Sequence, residues 1–276
     1  MTYCLILSGG SVKGFGLLGG IQAIFERYDS NKFTSFFGTS IGSIICYLLC
    51  IGYKPLEIIH NINCNKILHK VRTDIDILNA LSEKGLVNFE YIIEELELMT
   101  LIKYDSLFTF KTLYEKLGKE LCCITYNYTL QKKEILHYTT TPDLPCLLGL
   151  QMSSSLPFVF DKFEYNDNLY LDGGIADNFP ISTAIEIFNK KNIIGLCIKP
   201  SIGDTSKDAM IHSFISNLLF IPIVEISRSI LEKYKGNEGI INIYEILITH
   251  SFIDFNIDIS IIMEMFSTGY NICSKT

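Results

Sequence analysis

The sequence has no concentration of positive charge. Lysine and arginine number 23 against 30 aspartates and glutamates, a net charge of −7, and the longest basic runs are the pairs Lys132-Lys133 and Lys190-Lys191. Nucleic-acid binding requires a concentrated basic face that neutralises phosphates, so we do not expect nucleic acid as a partner. Any contact with a membrane would have to use apolar side chains or local lysines.

Long apolar segments are also missing. No uncharged apolar run reaches the roughly 20 residues that span a bilayer as a helix, and the longest candidate, residues 41–53, contains glycine and serine. The opening residues, MTYCLILSGG, lead into a strand and a glycine turn and not into a signal peptide. Nine cysteines occur without a Cys-x-x-Cys pair, which is typical of reduced core thiols. We therefore expect an intracellular, cytosolic protein with only peripheral membrane contact.

Apolar residues are abundant by contrast. Of the 276 residues, 48% are hydrophobic and only 19% are charged, a composition that supplies a large core and is unlike that of a disordered chain. Apolar runs alternate with segments of helical period, which favours an α/β fold. No repeat or linker divides the chain, so we expect a single domain over residues 1–276. The predicted strands are 3–7, 33–37, 122–130, 134–140, 170–174, 192–198 and 245–249. The predicted helices are 41–51, 56–69, 88–99, 108–118, 144–154 and 210–234. Three more helices are predicted to start near residues 13, 180 and 258.

A serine stands between two glycines where a predicted strand meets a predicted helix. In GTSIG, residues 38–42, Ser40 lies two residues from Gly38 and from Gly42. This context is typical of a nucleophile elbow, in which glycines let neighbouring backbone pass close to a strained serine. The following helix directs its first amides toward developing negative charge. A plain glycine turn remains the alternative for this motif taken alone.

A serine hydroxyl needs a base to become a nucleophile. The order Ser40, Asp172, then His212 or His250 would suit a serine–histidine–aspartate triad, but only 39 residues precede the serine and neither histidine lies in a glycine-marked turn. Asp172, in YLDGG, ends a predicted strand, where α/β proteins gather catalytic side chains. A carboxylate base is therefore favoured over a histidine, with an ordinary Asp-Gly turn as the alternative.

The N-terminal loop SGGSVKG, residues 8–14, connects a predicted strand to a predicted helix. It fits neither the Walker A pattern nor G-x-G-x-x-G, because Ser11 occupies the middle position. Its backbone amides nevertheless converge at a helix N-terminus, which suits an oxyanion as well as a phosphate. A nucleotide-binding protein therefore stays open as an alternative from a different class.

Taken together and in this order, LSGGSVKG, GTSIG and DGG resemble the patatin-like phospholipase family. MSSSLPFVF, residues 152–160, is similar to the family's Ala-Ser-x-Ala-x-Pro segment, and DGGIADNFP to its Asp-Gly-Gly…Asn-x-Pro stretch. The resemblance covers residues 5 to about 200, and residues 201–276 match only weakly.

The resemblance implies a three-layer α/β/α fold with a central, mostly parallel sheet. It also implies an enzyme that hydrolyses acyl esters of phospholipids or lysophospholipids at a membrane or micelle surface, without metal or cofactor. By motif match, Ser40 is the nucleophile and Asp172 the general base. The remaining assignments are an oxyanion hole at Gly9, Gly10 and Ser11, and motif-supporting roles for Lys13, Gly14, Gly38, Gly42, Gly173 and Gly174.

Three positions depart from the family pattern. Ser11 replaces a glycine, which would matter if the position requires a positive φ, and Met152 and Ser155 replace alanines, which predicts a narrower acyl pocket. An inactive lipid-binding relative would lose Ser40 or Asp172, and both are present.

The segment FISNLLFIPIVEI, residues 214–226, is the candidate for membrane contact. One interpretation is a core helix interrupted at Pro222. The other is an exposed apolar flap beside Ser40 that enters the membrane interface through residues such as Leu219 and Phe220.

Overall fold

The computed structural model describes residues 1–64, 89–157, 159–199, 211–250, 255 and 257–275, with only the backbone of residues 63, 64 and 211–220. Its strands form one sheet. They are β1 (Tyr3–Leu7), β2 (Phe33–Thr39), β3 (Glu120–Asn127), β4 (Lys132–His137), β5 (Phe163–Tyr165), β6 (Asn168–Asp172), β7 (Ile193–Ile198) and β8 (Ile240–Ile246).

The helices lie between these strands in the chain. They are α1 (Gly14–Arg27), α2 (Ile41–Cys50), α3 (Pro55–Cys64), α4 (Glu90–Lys103), α5 (Phe110–Leu117), α6 (Cys146–Ser154), the short α7 (Gly174–Asp177), α8 (Ile211–Tyr234) and α9 (Ile259–Ser274). No single helix in the described ranges is long and apolar enough to cross a bilayer, although α2 and α3 pass the same test as a pair bent by 115°.

The sheet is mostly parallel. The strand order is β5-β6-β3-β2-β1-β7-β8, with β4 also paired to β3. Strands β3, β2, β1, β7 and β8 run parallel to one another, whereas β4, β5 and β6 enter through antiparallel pairs. Parallel strands connected by helices bring their carboxyl ends to one edge of the sheet, and β1 and β2 end there with the serine- and glycine-bearing loops.

Both faces of the sheet are covered. Along β1, Leu5 and Leu7 belong to one buried cluster with side chains of α1, α2 and α9. Cys4 and Ile6 belong to a second cluster with Phe179 and residues of α8. Alternate residues of a strand point to opposite faces, so the two clusters are two cores separated by the sheet. The predicted three-layer α/β/α architecture is confirmed.

Some element boundaries differ from the predictions. The last strand lies at Ile240–Ile246 and not at 245–249, because its register follows β7 from Ile193 onward. The three-residue strand β5 was not predicted, and the helix expected from Pro180 is a π-helical segment at Thr183–Ile187. The predicted helix 56–69 is observed to residue 64, and its remainder lies outside the described residues.

The segment 214–226 is helical throughout and carries Pro222 inside α8. Ile221 is 37% exposed and Ile226 36%, while Val224 is buried. The side chains of His212, Leu219 and Phe220 lie outside the described residues. The choice between a core helix and a membrane flap therefore stays a prediction.

Helices α1 and α9 pack backbone against backbone. A Cβ atom added to Gly269 would lie 1.8 Å from the carbonyl oxygen of Gly16, and one added to Gly19 would lie 1.9 Å from that of Phe266. Arg27 donates to the carbonyl oxygens of Cys273 and Ser274 at the end of α9, where a cation also complements the helix dipole. The C-terminal helix is thus joined to the helix that follows the N-terminal glycine loop.

Candidate active site

Ser40 stands at the junction of β2 and α2 in an uncommon backbone conformation. Its φ is 54° and its ψ −129°, a region that non-glycine residues occupy at an energetic cost of about 1–3 kcal/mol and that clusters at active sites. The geometry is that of a strained strand-to-helix turn with the serine at its apex. The α2 N-terminus begins with the next residue and adds a positive end of a helix dipole.

Gly38 and Gly42 make this turn possible through close approach. A Cβ atom on Gly38 would lie 2.5 Å from the carbonyl carbon of Gly42, and one on Gly42 would lie 2.6 Å from the carbonyl oxygen of Ser8. Neither contact could be relieved by rotating a side chain, because the opposing atoms are backbone. Both motif glycines therefore have a packing role at the elbow.

The register of β3 explains how Asp172 reaches Ser40. Strand β2 pairs with β3 as far as Thr39 opposite Ile124, and β6 continues with Asp172 opposite Thr125. Since β4 occupies the other edge of β3 over Cys122–Asn127, β2 and β6 share one edge and run toward each other. Their carboxyl ends meet, which brings the serine and the aspartate together.

The carboxyl group of Asp172 is buried, with only 3% of the residue exposed. Burial raises the pKa of Asp172 from 3.8 to about 6, and the nearby Ser40 hydroxyl and the Gly174 amide partly offset this rise. The Gly174 N–H donates to Oδ1 at 2.7 Å. A carboxylate with a pKa near 6 is a better proton acceptor for an alcohol than one near 4, so the pair has the chemistry of a nucleophile and its base.

The N-terminal loop lies against Ser40. The Gly9 amide donates to the carbonyl oxygen of Asn178 at 3.0 Å, so it is not available to an oxyanion in this conformation, contrary to the assignment of all three amides. Among the described residues, no acceptor is found for the amides of Gly10 and Ser11. These two remain the candidate oxyanion donors.

Backbone conformation and packing account for the other residues of this loop. Ser11 has a φ of 50°, which confirms that the position replacing a glycine requires a positive φ. Lys13 is buried, burial lowers its pKa to about 8, and it lines neither of the two cavities beside Ser40. A Cβ atom on Gly14 would lie 2.5 Å from the side chain of Ile41, which places the start of α1 against the start of α2.

Residues 153–155 connect Ser40 to Asp172. The Ser40 amide donates to Oγ of Ser153 at 3.0 Å. The Asp172 amide donates to the carbonyl oxygen of Ser155, and the Gly173 amide to that of Ser153. Residues 153–155 thus position Ser40 and Asp172 relative to each other, a role that sequence spacing gave no means to infer.

A second support lies beneath the elbow. The Thr39 hydroxyl donates to the carbonyl oxygen of Asp177 at 2.8 Å, and the Asp177 carboxylate pairs with Lys133 at 2.9 Å and accepts from Thr183. The residue before Ser40 is therefore fixed to the turn that follows Asp172. The backbone carbonyl oxygen of Asn178, which follows this turn, accepts the Gly9 amide.

Two cavities meet at Ser40. The larger measures about 150 Å³ and extends between α2, α3 and α4. Its lining is almost entirely apolar and includes Ile44, Leu48, Ile58, Ile92, Leu96 and Met99. The smaller measures about 50 Å³ and contains Asp172, Gly10 and Asn178, with Ile223, Val224 and Ser227 of α8 on its far wall. Met152 and Ser155, expected to narrow an acyl pocket, line neither cavity, whereas Ser154 lines the larger one.

No histidine joins this site among the residues whose side chains are described. His250 lines neither cavity, and the His212 side chain is outside that set. Within the same residues, no group of three or more histidine, cysteine, aspartate or glutamate side chains could hold a metal ion.

A family model described as patatin-like phospholipase matches residues 5–185. The chain belongs to the patatin-like phospholipase family. It is 41% identical over 192 residues, 68% of this chain and 65% of the relative, to "Probable lipid hydrolase 463L" of Invertebrate iridescent virus 6. It is 25% identical over 223 residues, 69% of this chain and 29% of the relative, to "Triacylglycerol lipase 5" of Saccharomyces cerevisiae.

The crystal structure of VipD from Legionella pneumophila has a similar fold, with a TM-score of 0.56 and 17% identity over 99% of this chain and 66% of VipD. The matches span 65% of the viral relative and 66% of VipD, slightly less than two thirds of each. This patatin-like chain is thus a member of a lipid hydrolase family and has the patatin fold.

Proposed function

We propose that the protein is a serine lipid acyl hydrolase that cleaves fatty-acyl esters of phospholipids or lysophospholipids on a Ser40–Asp172 dyad. The observation that carries the proposal is the strained turn at Ser40 next to the buried Asp172 carboxylate, at the meeting point of an apolar and a more polar cavity. In this proposal the larger cavity holds the acyl chain and the smaller one the alcohol.

The size of the larger cavity suits the first part of an acyl chain. Engineered apolar cavities of about 150 Å³ stay dry and take up benzene, so a cavity of about 150 Å³ accommodates roughly six carbon atoms. A longer chain would extend past it. Apolar lining and exclusion of water favour the hydrocarbon and strengthen electrostatic contacts at the ester.

Acylation begins when Oγ of Ser40 attacks the ester carbonyl carbon and its proton passes to the Asp172 carboxylate. The carbonyl oxygen becomes an oxyanion, to which the Gly10 and Ser11 amides donate, each such donor contributing about 3–4 kcal/mol in comparable sites. The intermediate collapses with cleavage of the bond to the alcohol oxygen, and Asp172 returns the proton to this leaving group.

Deacylation repeats these steps with water. A water molecule in the space vacated by the alcohol gives a proton to Asp172 and attacks the acyl carbon. Cleavage of the acyl–Oγ bond releases the fatty acid, and Ser40 regains the proton. No metal ion takes part in either half of this scheme.

Contact with the lipid surface is proposed to be apolar. Helices α4 and α8, which wall the two cavities, also expose apolar side chains outward: Leu101 at 47%, Ile102 at 65% and Ile221 at 37%. With a net charge of −7, general electrostatic attraction to anionic lipid is unfavourable, so these side chains supply the attraction.

The test is fluorophosphonate labelling combined with hydrolysis of p-nitrophenyl esters and phospholipid vesicles. We expect a label on Ser40, no label and no hydrolysis after Ser40→Ala at unchanged melting temperature, and full activity in excess EDTA. Retained hydrolysis by Ser40→Ala would overturn the nucleophile. Absence of labelling in the wild type would favour an inactive lipid-binding relative or a nucleotide-binding protein, and loss of activity in EDTA restored by Ca²⁺ would refute metal independence.

A further inference from the structure

Ser154 carries a buried hydroxyl group without a partner. The residue is 4% exposed, and its Oγ makes no hydrogen bond to any described residue. Its two neighbours differ: Oγ of Ser153 accepts from the Ser40 amide, and Oγ of Ser155 donates to the carbonyl oxygen of Gln151 at 2.7 Å. Buried hydroxyls are nearly always paired because an unpaired one is costly. The exception therefore has to be explained.

Ser154 borders the larger cavity. Ser154 lines that cavity together with Ser40 and Ser11, and it is absent from the smaller cavity, which contains Gly10 and Asp172. The candidate oxyanion donor Gly10 and the base are thus on one side of Ser40, and Ser154 is on the side proposed for the acyl chain.

Ser154 also lies near the start of that chain. The adjacent Ser153 Oγ is 3.0 Å from the Ser40 amide, and consecutive Cα atoms are about 3.8 Å apart. An acyl group on Ser40 would therefore pass Ser154 within its first few carbon atoms. Farther in, the described lining is apolar except for Glu95.

We propose that Ser154 is a specificity-determining residue that binds a hydrogen-bonding oxygen on the acyl chain close to the carboxyl group, and that the substrates include hydroxyacyl esters. A ligand oxygen would satisfy the hydroxyl, whereas a plain hydrocarbon leaves it unpaired. Sites built to bind a substrate oxygen discriminate against analogues that lack it. The inference rests on the proposed function, because it takes the larger cavity as the acyl site.

The kinetic test compares p-nitrophenyl decanoate with its 2-hydroxy and 3-hydroxy derivatives. For at least one derivative we expect the wild type to show a kcat/KM roughly three- to tenfold above that of the plain ester, the range of one net hydrogen bond. Ser154→Ala should bring this ratio to about one, while the matched control Ser155→Ala, whose hydroxyl lines neither cavity, leaves the ratio unchanged. A wild-type ratio of one or less for both derivatives would overturn the proposal, as would an equal loss on all three esters in Ser154→Ala.

A binding test separates this proposal from the proposed function. Ser40→Ala protein should bind 3-hydroxydecanoate or 2-hydroxydecanoate more tightly than decanoate by calorimetry, and the preference should disappear in Ser40→Ala/Ser154→Ala. If the wild type hydrolyses no ester yet this preference is found, the proposed function fails and the Ser154 site stands. The melting temperature of Ser154→Ala should equal or exceed that of the wild type, because the hydroxyl has no partner to lose, and a clear decrease would contradict the unpaired state.

Discussion

Asp172→Asn should produce a protein that is inactive and more stable than the wild type at neutral pH. Asparagine keeps the shape of the side chain. Its amide oxygen can still accept from the Gly174 N–H, and its NH₂ group can donate to Oγ of Ser40. The substitution removes the proton acceptor, so kcat should fall by roughly two to four orders of magnitude. It also removes a buried negative charge, and this second effect determines the stability.

The magnitude follows from the pKa. The Asp172 pKa rises from 3.8 in its ordinary state to about 6 in the fold, and each pKa unit is equivalent to about 1.4 kcal/mol. The folded protein thus binds the proton more tightly than the unfolded chain. The stability gained from this tighter binding of the proton is complete below pH 3.8 and is lost as the pH rises through about 6. Above pH 7 the ionised carboxylate costs about 3 kcal/mol, and Asp172→Asn should recover most of it.

Urea denaturation between pH 4 and pH 8 measures this effect. The free energy of unfolding of Asp172→Asn should exceed that of the wild type by about 3 kcal/mol at pH 8, and the difference should shrink toward zero near pH 4. The exposed Asp161→Asn serves as the matched control and should show no such gain. Wild-type kcat/KM should rise with pH and reach half its plateau near pH 6. If Asp172→Asn is less stable at pH 8, or if its gain does not depend on pH, Asp172 is not a buried carboxylate of raised pKa.

Two further substitutions test the backbone around the site. Ser11→Gly removes the steric cost of a positive φ, about 1 kcal/mol. The kcat/KM for ester hydrolysis should therefore stay equal or rise by up to about fivefold. A tenfold loss would show that the Ser11 side chain itself contacts substrate. Gly269→Ala inserts a methyl group 1.8 Å from the Gly16 carbonyl oxygen and should lower the free energy of unfolding by about 3 kcal/mol in urea melts. The exposed Ser267→Ala is its control, and an equal stability of the two variants would refute backbone contact between α1 and α9.

The central layer of the fold could be predicted because buried strands are short apolar runs. Residues 3–7, 33–37 and 192–198 are of this kind, and each is observed as a strand within one or two residues. The final strand was placed too late because IINIYEILIT is apolar over a longer stretch than the sheet uses. Its limits depend on pairing with β7, a contact between distant residues that local periodicity does not contain.

The candidate site, too, could be predicted only in part from the sequence. Glycine spacing and strand ends pointed to Ser40 and Asp172, because a tight elbow imposes a local pattern on the sequence. The engagement of the Gly9 amide by Asn178 and the bridging role of residues 153–155 depend on three segments meeting in space. The unpaired state of Ser154 is likewise a property of its surroundings, since a serine within a run of three serines carries no sequence signal of its own.

The backbone contact between α1 and α9 has a consequence for the timing of activity during synthesis. Helix α1 begins directly after the loop that carries Gly10 and Ser11. Gly16 and Gly19 of this helix contact the backbone of Gly269 and Phe266, more than 240 residues later in the chain. Ribosomes deliver the N-terminal part first, so the nascent chain holds its elbow and loop for many seconds without the helix that braces them. Contacts between such distant residues also form slowly. We therefore expect the proposed active site to become functional only after residue 269 has left the ribosome.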